Sequence, residues 1–150
     1  VANFSAADAE NLFSQVRSIA KKLGVFPAVI GHDPENAPPS GVSLSIMLGS
    51  VKPITSSGLD AVSCQVTLMV HVWSFANQKP LDDIDPKVLA ATCSMMGALA
   101  GGFTLNGTVR DVNLFAMDAQ PGYVNFQEKE FRTVAISVPI EINDLFEEVP

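Results

Sequence analysis

The chain has 150 residues, enough for one domain, and 47% of them are apolar against only 17% charged, where about 25% is usual. Nine Lys and Arg face sixteen Asp and Glu, a formal charge of −7; the basic residues stand singly apart from Lys21-Lys22, which excludes a surface built to hold duplex nucleic acid by counterion exchange. No apolar run approaches the length of a transmembrane helix, and the N-terminus lacks a basic-then-hydrophobic signal pattern, so the expectation is a soluble protein made in the cytoplasm.

Ser5, followed by Asp8, resembles a capping box. Ala9, Leu12, Phe13, Val16, Ile19, Ala20 and Leu23 then recur at spacings of three and four, which predicts an amphipathic helix. Lys21 and Lys22 suit its negative end, and Gly24 can take the left-handed stop. Val25–Ile30 reads as a short strand that Pro27 confines to an edge or an entry position. Gly31–Gly41 (GHDPENAPPSG) is turn chemistry, a loop long enough to be functional and carrying Pro38 and Pro39. Val42, Leu44, Ile46 and Leu48 alternate with Ser43, Ser45 and Met47 as a strand, and Pro53–Asp60 connects it to the next as an antiparallel hairpin.

That next strand is the clearest in the chain. Val62, Cys64, Val66, Leu68, Val70 and Val72 are apolar on one face. The other face begins with Ser63, Gln65 and Thr67 and ends with Met69, Trp73 and Phe75. Val62–Phe75 would reach about 46 Å, against a usual strand of about 17–20 Å. A strand of that reach, apolar on both faces at its far end, implies a subunit completed by its neighbours.

Asp85 is a good N-cap, Pro86 fits the first helical position, and Asp82 and Asp83 add charge at the positive end. Val88, Leu89, Ala91, Thr92, Met95, Met96 and Leu99 make this second helix amphipathic, and Gly101-Gly102 ends it. Val109–Phe115 and Phe131–Ile142 are the last two strands; between them Ala116–Glu130 is a loop or hairpin with Met117, Tyr123 and Phe126. The acidic residues 144–150 read as a flexible tail. The expected fold is α+β: one domain over 1–150, a mostly antiparallel mixed sheet of four to five strands in the order α-β-β-α-β-β, both helices on one face, the other face left to water or a partner.

No constellation has the form of an active site. His32 and His71 are isolated from Cys or carboxylate spacing and make a poor metal site. Asp82, Asp83 and Asp85 are explained by helix capping ahead of the alternative, a weak Mg²⁺ contact between subunits, and Asp33 and Glu35 by solvation. Ser56-Ser57-Gly58 precedes a strand and so is no nucleophile elbow; Gly101-Gly102 follows a helix and so is no phosphate cradle. Cys64 and Cys93 read as small buried hydrophobes in a reducing compartment. Trp73 and Phe75 divide evenly between a satellite core beneath a loop and a subunit contact. No catalytic residue, metal or cofactor is expected. The candidate interface residues are Pro38, Pro39, Met69, Trp73, Phe75, Met117, Tyr123 and Phe126.

Taken in order, the helix exit Leu23-Gly24-Val25-Phe26, the SSGL turn Ser56–Leu59, the Asp82–Pro86 helix start, the F-x-L-x-G-x-V-R run Phe103–Arg110 and the Phe131-Arg132 strand start resemble the tail terminator proteins of long-tailed bacteriophages, closest to those of phages of actinobacteria. The resemblance spans about Leu12 to Asp144. It implies a non-catalytic virion protein at the head-proximal end of the tail, assembled in the host cytoplasm. Such proteins form a homohexameric ring that caps the tail tube, stops its growth and docks the head connector. The implied partners are sister copies, the tube protein and the connector, with DNA passing through the lumen unbound. Six chains would carry a charge of about −42, suited to a lumen that DNA crosses without sticking. The alternatives are another neck or tail-tube component, and a small ligand-binding α+β domain.

Overall fold

The computed structural model describes residues 6–30, 42–54, 61–76, 83–100, 109–112, 116–126 and 128–147. Helix α1 (Ala6–Leu23) forms where the three-and-four spacing predicts, burying Leu12, Val16 and Ala20. Gly24 closes it at φ 67°, donating to the Lys21 carbonyl at 3.2 Å. Strand β1 (Ala28–Ile30) runs parallel to the start of β2 (Ser43–Ile54), and β2 pairs antiparallel with β3 (Ala61–Phe75) as the hairpin reading expects. Helix α2 (Ile84–Ala100) follows, then β4 (Val109–Val112), β5 (Asp118–Phe126) and the long β6 (Lys129–Glu147).

The sheet order is β1-β2-β3-β6-β4, with β5 also on β6. β3 lies along nearly the whole of one edge of β6. The other edge of β6 is shared: β5 takes Lys129–Ser137 and β4 takes Ile140–Ile142. Among the described residues only the β1–β2 pair is parallel. The fold is thus α+β with a mixed, mostly antiparallel sheet, as expected; among the described residues five strands lie on its path and β5 pairs beside them on β6.

Alternation sends even-numbered residues of β3 and β6 toward the helices. Cys64, Val66, Leu68, Val70 and Val72 meet Val134, Ile136, Val138, Ile140 and Ile142, and α1 and α2 close the layer with Val16, Ala20, Val88, Ala91, Met95 and Leu99. Burial also pushes the Cys64 thiol above its ordinary pKa. Each fully buried aliphatic side chain contributes roughly 1.5–3 kcal/mol relative to exposure.

Four expectations need correcting. Strand β2 continues past Leu48 to Ile54, because a bulge between Leu48 and Ser50 absorbs the irregular stretch and restores the pairing. Gly49 is required there: a Cβ would stand 2.7 Å from Met69 Cγ and 2.9 Å from the Thr67 carbonyl oxygen. Strand β6 runs to Glu147, where Phe146 and Glu147 pair with Val62 and Ala61, so the first part of the acidic segment belongs to the sheet. The sheet face away from the helices is open only in part: Ser43, Ser45, Ser63, Trp73, Phe131 and Thr133 are buried on it, while Gln65, Thr67, Met69, His71, Ala135 and Ser137 between them are partly exposed. Finally, Cys93 is exposed on α2; its position falls on the turn of the helix opposite the core.

Candidate assembly surface

On the face away from the helices, the aromatics of the two central strands form a cluster within the subunit. Trp73 and Phe131 meet edge to face at 5.9 Å, Phe75 stacks on Phe131 at 4.8 Å, and His71 lies 5.9 Å from Trp73. Trp73 Nε1 donates to Ser45 Oγ at 2.9 Å and the residue is 4% exposed. Of its two readings the satellite core holds in this chain; with so little surface it offers nothing to a partner, and its candidacy as a contact is withdrawn. Phe75 is half-buried, with the Lys129 ammonium 5.5 Å from its ring centre. Met69 is half-buried on the same face, its sulfur accepting from Ser137 Oγ at 3.6 Å.

Met117 lies on the helix side, partly buried against the main core. Tyr123 is exposed on that side, with the Arg132 guanidinium 4.5 Å over its ring. Phe126 stands opposite Lys129 at the end of the β5–β6 hairpin. Pro38 and Pro39, with the rest of Gly31–Gly41, lie outside the described residues, as do the Ser56–Leu59 turn, Asp82 and Gly101-Gly102. The predicted candidates therefore do not converge on one patch. Among the described residues no three of His, Cys, Asp and Glu come together to hold a metal ion, and no helix is long and apolar enough to cross a membrane.

Two other features gather the exposed apolar surface, one at each edge of the sheet. At the β2 edge, Leu48 is 56% and Val51 52% exposed. Both face the helix side, because their cross-strand partners Leu68 and Val66 belong to the core. Among the described residues, β2 beyond Ser45 is paired only through β3. Its outer edge is nonetheless blunted: the Gly49 bulge bends it, Lys52 places a charge on it, and Pro53 has no N–H to give. These devices oppose strand addition and leave Leu48 and Val51 as a side-chain knob.

At the other edge, a groove of about 450 Å³ runs between α2 and the β5–β6 hairpin. Its walls are mainly Pro86, Val88, Leu89, Ala119, Pro121 and Val134. β5 contributes because Ala119 and Pro121 sit opposite Ile136 and Val134 and so share their helix-side face. Arg132 ties one end together: its Nε donates to Asp85 Oδ1 at 3.0 Å and its Nη1 to the Gly122 carbonyl oxygen at 3.2 Å. Thr92 lines the groove as a buried residue whose Oγ1 has no hydrogen-bond partner among the described residues. Leu89, predicted on the apolar face of α2, is instead 64% exposed on the groove rim.

Leu89 begins a wider surface. The outward residues Leu89, Ala90, Cys93, Ser94 and Gly97 of α2 are all exposed, and no residue of the helix after Lys87 is charged. The sequence signal for this surface was present as the uncharged run Val88–Ala100. The groove itself had none, since its walls come from three separate segments of the chain, α2, β5 and β6. The chain matches no protein-family model and no curated protein sequence.

Proposed function

We propose that the chain is a tail terminator of a long-tailed bacteriophage, a structural virion protein that acts through protein contacts alone. It forms a homohexameric ring on the finished tail tube, ends tube polymerisation and presents the docking surface for the head connector. The ordered motifs between Leu12 and Asp144 supply the family resemblance. The structural observation that supports it is the uncharged, solvent-facing side of α2 with its apolar groove, a surface of the kind that a subunit covers with another subunit. The shortage of charge in the whole chain, 17% against the usual quarter, fits the same reading.

A second reading, a small ligand-binding α+β domain, is favoured by one observation: the groove volume lies within the roughly 300–1,000 Å³ of small-molecule sites. The two separate in one assay. Adding the protein to polymerising tail-tube subunits shortens the tubes and narrows their length distribution if it is a terminator. Tubes of unchanged length at a several-fold excess of the protein would remove the role.

A further inference from the structure

We infer that β5 is a detachable edge strand, latched onto the subunit by the Arg132 guanidinium, which Asp85 of α2 holds in place. The α2–β5 groove then exists only while this latch is closed. The inference goes beyond the ring reading and stands independently of it. β5 has little anchorage of its own. From Asp118 to Asn125 every residue is half-buried or exposed, and none is buried. Among the described residues its ladder runs along β6 alone, and Pro121 has no N–H to give to a ladder. β6 does not depend on β5 in return. β3 pairs with it along its other edge, and Val134, Ile136 and Val138 fix it in the core. An edge strand with so few buried contacts belongs to the part of a fold that opens first, while the rest stays closed.

What holds β5 down on the helix side is one side chain of β6. Arg132 lies directly opposite Tyr123 in the ladder. Its Nη1 donates to the Gly122 carbonyl oxygen at 3.2 Å, and its guanidinium stands 4.5 Å over the Tyr123 ring, so it grips β5 at two groups. Its Nε donates to Asp85 Oδ1 at 3.0 Å. The Arg132 side chain is 17% exposed and that of Asp85 69%. The cation is thus largely withdrawn from water, while the carboxylate that balances it stays within reach of solvent and salt. A guanidinium in that position needs its anion; without it, the side chain turns toward water and releases Gly122 and Tyr123. Ala119 and Pro121 of β5 form the wall of the groove that faces α2. Opening the latch removes that wall, so the Arg132–Asp85 pair controls whether the groove is there at all.

The test is native-state hydrogen exchange of the full chain, read separately at the ladder amides of β5 and of β3. Asp85→Asn keeps a good helix-capping side chain and removes the charge. It should lower the protection of β5 about fivefold and leave β3 unchanged. Arg132→Gln removes the grip itself and should lower β5 protection at least about tenfold, again without β3. Raising salt from about 0.1 M to about 1 M should loosen β5 in the wild type, and less so in Asp85→Asn, where no ion pair is left to screen. If Asp85 were merely structural, the salt response would be the same in both. Exchange at β5 that neither variant changes overturns the latch, because the ladder alone then holds the strand. Exchange that rises at β5 and β3 together overturns it as well, because β5 then opens only with the whole subunit. Sedimentation of the wild type tests the ring reading separately.

Discussion

The two helices cover the same face of the same sheet, yet they meet solvent differently. α1 turns Glu10, Ser14, Ser18, Lys21 and Lys22 outward, so water completes it. α2 turns Leu89, Ala90, Cys93, Ser94 and Gly97 outward and carries no charge beyond its first turn. Inward they are alike, each burying a row of apolar side chains in one core. What distinguishes α2 is therefore not its part in folding. On the proposed reading, an amphipathic helix whose second face is also uncharged is finished by protein rather than by water.

The largest expected effects test the likeness. Leu12→Ala in α1 and Met95→Ala in α2 each remove a fully buried side chain, and each should cost about 2–5 kcal/mol in chemical denaturation. A cost for Met95→Ala below about 1 kcal/mol would mean that α2 is not anchored in the shared core. The difference is tested next. Leu89→Asp on α2 and Ser14→Asp on α1 should both leave stability within about 0.5 kcal/mol, but only Leu89→Asp should abolish association. If the two variants associate equally well, the contrast between the outward faces has no functional content.

A smaller effect comes from the groove wall. Thr92→Val removes a buried hydroxyl that has no partner among the described residues and keeps the shape of the side chain, so it should stabilise the monomer by about 1 kcal/mol; destabilisation would show that Oγ1 is satisfied. The smallest effect is at Gly97, an exposed helix-interior glycine where an added Cβ meets nothing within 4 Å. Gly97→Ala should raise helix stability by about 0.5–1 kcal/mol. Should Gly97→Ala also weaken association, Gly97 lies inside the subunit contact, and the covered surface extends along α2 beyond the groove.

Much of the fold is legible in the sequence because its longest elements obey a single period. The alternation of Val62–Val72 identifies β3 and its core face, and Ser5 to Gly24 marks α1 almost to the residue. Legibility fails where the local signal is mixed. β5 contains Pro121 and Gly122, which read as a turn, and its strand character comes from pairing with β6 rather than from its own composition. The acidic end of β6 reads as a tail because charge outweighs the alternation there, yet the pairing with β3 carries it to Glu147. Trp73 and Phe131 lie on the nominally polar face, and only their packing shows that this end of the face is buried too. The assembly surface was the least legible part. Asp85 reads in sequence as a helix cap and Arg132 as part of a strand start, and nothing there joins them to Pro121; they come together only through the order of strands around β6.

The central claim, that this subunit is completed by copies of itself, is tested most directly by its mass in solution. Sedimentation across a wide range of concentrations, with and without tail-tube subunits, should reveal a discrete species of about 95 kDa, six chains of 15.9 kDa. A single 15.9 kDa species under every condition would contradict the account.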